Sequence, residues 1–181
     1  MAEVAGVRTE LVVLLDERRQ PVGAAEKHRV HGPDTPLHLG FSCYVFDDAA
    51  NLLVTRRALG KQTWPGVWTN SFCGHPAPSE PLPNAVRRRA QQELGLALRT
   101  VELVLPDFSY RATAADGTVE NEVCPVFLAT SDEQPRPNPD EVVEWRWTPW
   151  AEFADLAKRA PWVLSPWAVE QVPLLAEALP D

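Results

Sequence analysis

The sequence predicts a single α+β domain over 1–181, and three observations carry that expectation. Short apolar, β-branched runs recur through most of the chain, one stripe of helical period interrupts them, and two proline-opened helical segments close the sequence. No repeat or low-complexity segment divides the chain, which is long enough to bury a sizeable core.

The first run, 10–15, holds Leu11-Val12-Val13-Leu14-Leu15. It follows Arg8 and Glu10 and is far shorter than the roughly 20 residues that cross a bilayer, so it reads as a strand. Further strands are expected over 38–46, 52–56, 120–129 and 142–147, the last rich in Val and Trp. Asp47-Asp48 and Pro65-Gly66 mark turns, and Asp116-Gly117 between two extended stretches signals a hairpin. A helix is expected from 83 or 84 to 94. Pro81 and Pro83 stand at its entry, Val86, Ala90 and Leu94 form a narrow apolar stripe, and Gly95 supplies the stop. Pro135, Pro137 and Pro139 make a loop. Thr148-Pro149 and Ser165-Pro166 each set a capping residue before a proline at a first helical position, and Pro173 should kink or split the last helix. Residues 1–8 and 174–181 read as flexible tails.

A net charge of -8 argues against a nucleic-acid partner, which needs a basic face. With no spanning segment and no signal-peptide layout, no membrane role is expected. Cys43, Cys73 and Cys124 are an odd number without paired spacing, so a disulfide framework is not expected and the cytoplasm is the default location.

Glu120 and Glu122 carry the most chemical information. Flanking valines favour a strand, where residues two apart share a face. Two carboxylates there repel unless a metal or a shared proton relieves them. His31, His38 and His75 complete a set that suits a divalent ion such as Mn²⁺, Mg²⁺ or Zn²⁺ in octahedral rather than closed tetrahedral coordination. On spacing alone, each histidine more often reads as an ordinary surface or core residue, and the glutamates as a solvated strand face. In Cys73-Gly74-His75, the thiol becomes reactive if a cation lowers its pKa, or is simply a buried cysteine. Lys27, Arg56, Arg57, Lys61 and Arg87, Arg88, Arg89 form a local basic set that fits a focused anion site, with Arg87 expected at the surface. Of the aromatics, Trp64, Trp68 and Trp167 stand out, Trp167 as the face for a positive charge; Tyr110 is placed to hydrogen-bond a catalytic acid.

From Gly74 the chain runs five residues to Glu80, seven to Arg88, then Arg89-Ala90-Gln91-Gln92-Glu93-Leu94-Gly95-Leu96. This resembles the Nudix box, whose glutamates hold the metal of a bound diphosphate. Arg89 and Gln92 stand where two of those glutamates would be, and Glu93 remains. A hydrolase needs the missing carboxylates to activate water, so the departures favour binding a diphosphate without hydrolysing it.

Longer motifs resemble the type I isopentenyl diphosphate isomerases over most of the chain. They are Leu37-His38-Leu39, Leu53-Val54-Thr55-Arg56-Arg57-Ala58, Trp64-Pro65-Gly66-Val67-Trp68-Thr69-Asn70-Ser71, Cys73-Gly74-His75, Tyr110-Arg111-Ala112, Val119-Glu120-Asn121-Glu122-Val123-Cys124-Pro125 and Ser165-Pro166-Trp167. The resemblance implies a Nudix-like mixed β-sheet sandwich flanked by helices, and isomerisation of isopentenyl to dimethylallyl diphosphate in isoprenoid biosynthesis. It implies a divalent metal on His31, His38, His75, Glu120 and Glu122, and Mg²⁺ arriving with the diphosphate on Glu93. Cys73 and Glu122 would be the acid/base pair, with Glu122 delivering the first proton, Cys73 taking the second and Tyr110 assisting Glu122. Lys27, Arg57, Lys61 and Arg89 would hold the diphosphate, and Trp167 would face the carbon skeleton. The partner is then a small isoprenoid diphosphate, bound by a monomer or weak dimer. A nucleotide-acting Nudix hydrolase and an inactive diphosphate-binding module are the competing readings.

Overall fold

The computed structural model describes residues 10–178. Two mixed sheets cross at the centre of the molecule. The first has the order β2(Pro21–Glu26), β1(Leu11–Leu15), β3(His38–Leu39), β10(Val119–Val123), β9(Ser109–Thr113). The second has the order β12(Val142–Pro149), β5(Asn51–Arg57), β4(Phe41–Phe46), β11(Val126–Thr130), β8(Thr100–Leu105). The short strands β6(Trp68–Thr69) and β7(Phe72–Gly74) pair with β5 and β4.

The runs 38–46 and 120–129, expected as single strands, are each cut in two. At Gly40 the chain leaves the first sheet as β3 and enters the second as β4; at Cys124-Pro125 it passes from β10 to β11 in the same way. The two crossings run side by side, because β3 pairs with β10 and β4 with β11 in parallel. The backbone accounts for both. Gly40 N donates to Val123 O at 2.9 Å, Ser42 N donates to Pro125 O at 3.1 Å, and Pro125 has no N–H to leave unpaired. A continuous apolar run carries no mark of which sheet each half joins.

Alternation along β4 explains the layers. Phe41, Cys43 and Val45 pack with Phe127 against Ala85, Val86, Ala90 and Leu94 of α2(Leu82–Leu94). Tyr44 on the other face packs with Val126 against Phe153 and Ala157 of α3(Trp150–Arg159) and Ala168, Val172 and Leu175 of α4(Pro166–Ala178). Helices therefore cover both faces of the second sheet. The expected helix from 83 or 84 to 94 begins at Leu82 and ends on Gly95, whose φ of 63° is the left-handed conformation glycine adopts freely. The Asp116-Gly117 hairpin joins β9 and β10. Strands β2 and β8 had no sequence signal. β2 is largely exposed and lacks alternation, and β8 is an edge strand.

Three expectations at the C-terminal end are corrected. α3 starts one residue later than Pro149, because β12 keeps Thr148 and Pro149 paired with Leu52 and Asn51. α4 runs unbroken through Pro173. An internal proline costs about 3 kcal/mol or more, and burying Val172 and Leu175 on either side contributes about 1.5–3 kcal/mol each. The supposed tail from 174 is helical to Ala178, with Leu175 fully buried; residues 1–8 and 179–181 lie outside the described residues.

Leu175→Ala should therefore lower unfolding stability by about 2–5 kcal/mol. Urea denaturation checks this, and a tail residue would give no shift.

Candidate active site

The parallel crossing places Glu122 opposite His38 in register, and the β9–β10 hairpin places Tyr110 opposite Glu122 on the other side. His31 follows α1(Lys27–Val30), and His75 follows β7. From five separate segments these side chains meet. His75 Nε2–H donates to Glu122 Oε1 at 2.9 Å, and His38 Nε2 lies 3.3 Å from the same oxygen. Glu120 Oε2 lies 3.0 Å from His31 Nε2 and 3.9 Å from His38 Nε2, and Tyr110 Oη donates to Glu122 Oε2 at 3.3 Å. The histidine rings sit 5.3–6.0 Å apart.

Gly40 makes room for this. A Cβ at Gly40 would lie 2.6 Å from Glu122 Oε2 and 2.8 Å from its Cδ, so the buried carboxylate rests against a bare backbone.

Several polar atoms here lack partners. Among the described residues, His31 Nε2, His38 Nε2, His75 Nδ1 and Glu120 Oε2 are buried without a hydrogen bond. Unsatisfied buried polar atoms are rare, and their concentration in one spot marks a missing ligand. His38 Nδ1–H donates to Pro36 O at 2.9 Å, which leaves Nε2 with its lone pair toward the cluster. Donor atoms of His31, His38, His75 and Glu122 all lie within 4.8 Å of one another. Around an ion with bonds of about 2.1 Å, opposite ligands are about 4.2 Å apart, so the set fits one divalent cation. Electrostatics agree. Burial would raise the Glu122 carboxyl, but the hydrogen bond from His75 and the neighbouring imidazoles of His38 and His75 outweigh it and lower the group. Burial would likewise lower His38, yet the Glu122 carboxylate raises it. The acid demands a positive partner.

Beside the cluster opens a cavity of about 240 Å³. Lys27, Arg57, Lys61, Arg89, Cys73, Tyr110 and Trp167 line it, together with His31, His75, Glu120 and Glu122. Trp167 is held edge to face by Trp64 at 5.8 Å, and the Arg57 guanidinium lies 5.2 Å from its ring centroid. Burial pushes the Cys73 thiol up to about 11, with Arg57 pulling the other way, and burial lifts the Tyr110 hydroxyl well above its ordinary value.

Glu93, expected to meet the Mg²⁺ of the diphosphate, is buried on α2 with its carboxylate clasped by Arg89, Nε to Oε1 at 2.9 Å. Arg56 turns away, to Gly66 O and Glu144. Sequence reasoning missed the carboxylates that partner the cavity's cations. Glu141 binds Lys61 through one oxygen and Arg89 at 3.2 Å through the other, and Glu10 pairs with Lys27 at 2.6 Å and Arg89 at 3.2 Å. Burial opposes but Lys61 outweighs it, leaving Glu141 at about 2. Neither glutamate lies in a motif, so nothing local marked them.

A NUDIX domain model matches residues 36–168, and the chain belongs to that family. A solved structure of DR0079 from Deinococcus radiodurans covers 91% of this chain and 98% of its own, with a TM-score of 0.69 at 20% identity, a likeness of fold. Within the family the relationship narrows. Isopentenyl-diphosphate Delta-isomerase of Agromyces mediolanus is 63% identical over 92% of this chain and 81% of its own length. The protein of that name in Frankia alni is 61% identical over 92% and 86%. The chain is a member of the isopentenyl-diphosphate Delta-isomerase family of NUDIX proteins.

Gly40→Ala should weaken Mn²⁺ binding by about 10–100-fold, the usual effect of disturbing what holds a ligand in place. Gly23→Ala, whose added Cβ meets nothing within 4 Å, should bind like the parent in the same calorimetric titration.

Proposed function

We propose that the chain converts isopentenyl diphosphate to dimethylallyl diphosphate by moving one proton on and another off the carbon skeleton. The observation that carries this is the composition of one cavity: a thiol and a carboxylate–phenol pair beside a buried indole, with four cations. An isolated alkene is a poor base, and its protonation makes a tertiary carbocation. The indole of Trp167 stabilises such a charge by about 0.5–2 kcal/mol, and the buried walls keep out the water that would trap it.

Protonation of the terminal alkene carbon forms a C–H bond from the π electrons. Loss of a proton from the carbon next to the C–O carbon returns an electron pair as the new double bond. Cys73 and Glu122 are the proposed pair, with Tyr110 holding Glu122. Glu122 would give the first proton and Cys73 would take the second. Lys27, Arg57, Lys61 and Arg89 would bind the diphosphate, exchanging Glu10 and Glu141 for phosphate oxygens.

His31, His38, His75, Glu120 and Glu122 would hold a divalent ion, Mn²⁺, Mg²⁺ or Zn²⁺, which when bound supplies the positive charge that fixes the Glu122 carboxyl. Mg²⁺ carried by the diphosphate would meet Glu93 only if that carboxylate is shared with Arg89. The same clasp disfavours a hydrolase, since the remaining box glutamate is already neutralised. Among the described residues no helix is long and apolar enough to cross a membrane.

Incubation with isopentenyl diphosphate and Mg²⁺ should yield an acid-labile allylic product, and release of phosphate instead would defeat the reading. Cys73→Ala and Glu122→Gln should each lower kcat by about 10²–10⁴-fold. In deuterated water a forward turnover should place label on the former terminal alkene carbon and none on the carbon that loses its proton. Exhaustive chelation should abolish turnover, with Mn²⁺ restoring it.

A further inference from the structure

Behind the cavity wall, between β6 and β7, lies a fully buried amide that none of the site assignments above uses. Asn70 is 0% exposed. Its side-chain N–H groups donate to Cys43 O at 2.9 Å and to Phe72 O at 2.7 Å. Its Oδ1 accepts from Trp167 Nε1–H at 3.0 Å, Thr69 Oγ1–H at 2.7 Å and Cys73 Sγ–H at 3.4 Å. The orientation of the amide is unambiguous. Turned over, it would set oxygen against two backbone carbonyls and N–H groups against the indole N–H. The backbone at this point is pinned as well, since Thr55 Oγ1 donates to Asn70 O at 2.9 Å.

We propose that Asn70 is a positioning residue that sets the Cys73 thiol and the Trp167 indole relative to each other through one shared carbonyl oxygen. The inference rests on the isomerase reading, in which both groups face the same carbon skeleton. The thiol comes from β7 and the indole from α4, elements far apart in sequence, so nothing covalent fixes their spacing. A single acceptor fastened to the strand backbone does. The far side of Cys73 is held too: Ser42 Oγ lies 3.4 Å from Sγ and accepts from Gln171 Nε2 at 2.9 Å, which leaves Asn70 as the link toward Trp167.

A misplacement of about 1 Å can cost about 100-fold in rate, so Asn70→Ala should lower kcat by roughly 10–100-fold while KM stays within about threefold and one equivalent of Mn²⁺ still binds. A residue that only supports the fold would lower metal binding and substrate affinity along with kcat. Trp167→Phe keeps a ring and removes the N–H. In the double variant the two losses should fall short of multiplying, because both break the same connection. Independent, multiplying effects, or an Asn70→Ala protein with the parent kcat, would overturn the inference. Should Asn70→Ala fail to fold, the indole N–H resonance that disappears in Trp167→Phe should be protected from solvent exchange in the parent, and rapid exchange would overturn it. An inactive parent protein would instead count against the isomerase reading itself.

Discussion

Everything distinctive in this molecule follows from burying one carboxylate, Glu122, where two sheets exchange strands. An ionised acid is costly to bury unless every lone pair is answered. Here the answers come from three segments: His38 across the parallel pair with the bare backbone of Gly40 beneath, Tyr110 across the hairpin, and His75 beyond β7. His38 and Tyr110 flank Glu122 within the first sheet, while His75 reaches it from the end of β7 in the second. The crossing thereby sets one acid between the histidine cluster and the cavity.

The cage and the cavity divide the electrostatic work. The three histidines and Glu122 set donor atoms within 4.8 Å of one another, with Glu120 Oε2 3.0 Å from His31 Nε2, while Arg57, Arg89, Lys27 and Lys61 bring positive charge to the cavity of a protein of net charge -8. Glu10 pairs with Lys27 and Arg89, and Glu141 with Lys61 and Arg89, while Arg57 donates to Thr63 O and Trp64 O. Trp167 and Tyr110 line the cavity, and Trp64 packs edge to face on Trp167.

What the sequence disclosed and what it hid follow from the range of each signal. Local periodicity was enough for α2 with its Gly95 stop, for the 116–117 hairpin and for the start of α4 at Pro166. The Glu120/Glu122 pair was legible because a strand puts residues two apart on one face, and the family motifs named the histidines. Gly40 gave no warning: within 38–46 it reads as a weak point in one strand, and its meaning depends on a carboxylate more than eighty positions away. Glu141 and Glu10 were hidden for the same reason, being ordinary acids until the fold brings cations to them. Glu93 shows the converse. Its motif position was plain, but that Arg89 clasps its carboxylate as a buried pair depends on how α2 packs.

Anomalous diffraction from crystals soaked in Mn²⁺ tests the central claim most directly. A single strong peak should appear about 2.0–2.3 Å from donor atoms of His31, His38, His75, Glu120 and Glu122 together. A peak on other residues, or a cluster that stays empty while its imidazoles hydrogen-bond solvent, would contradict the account.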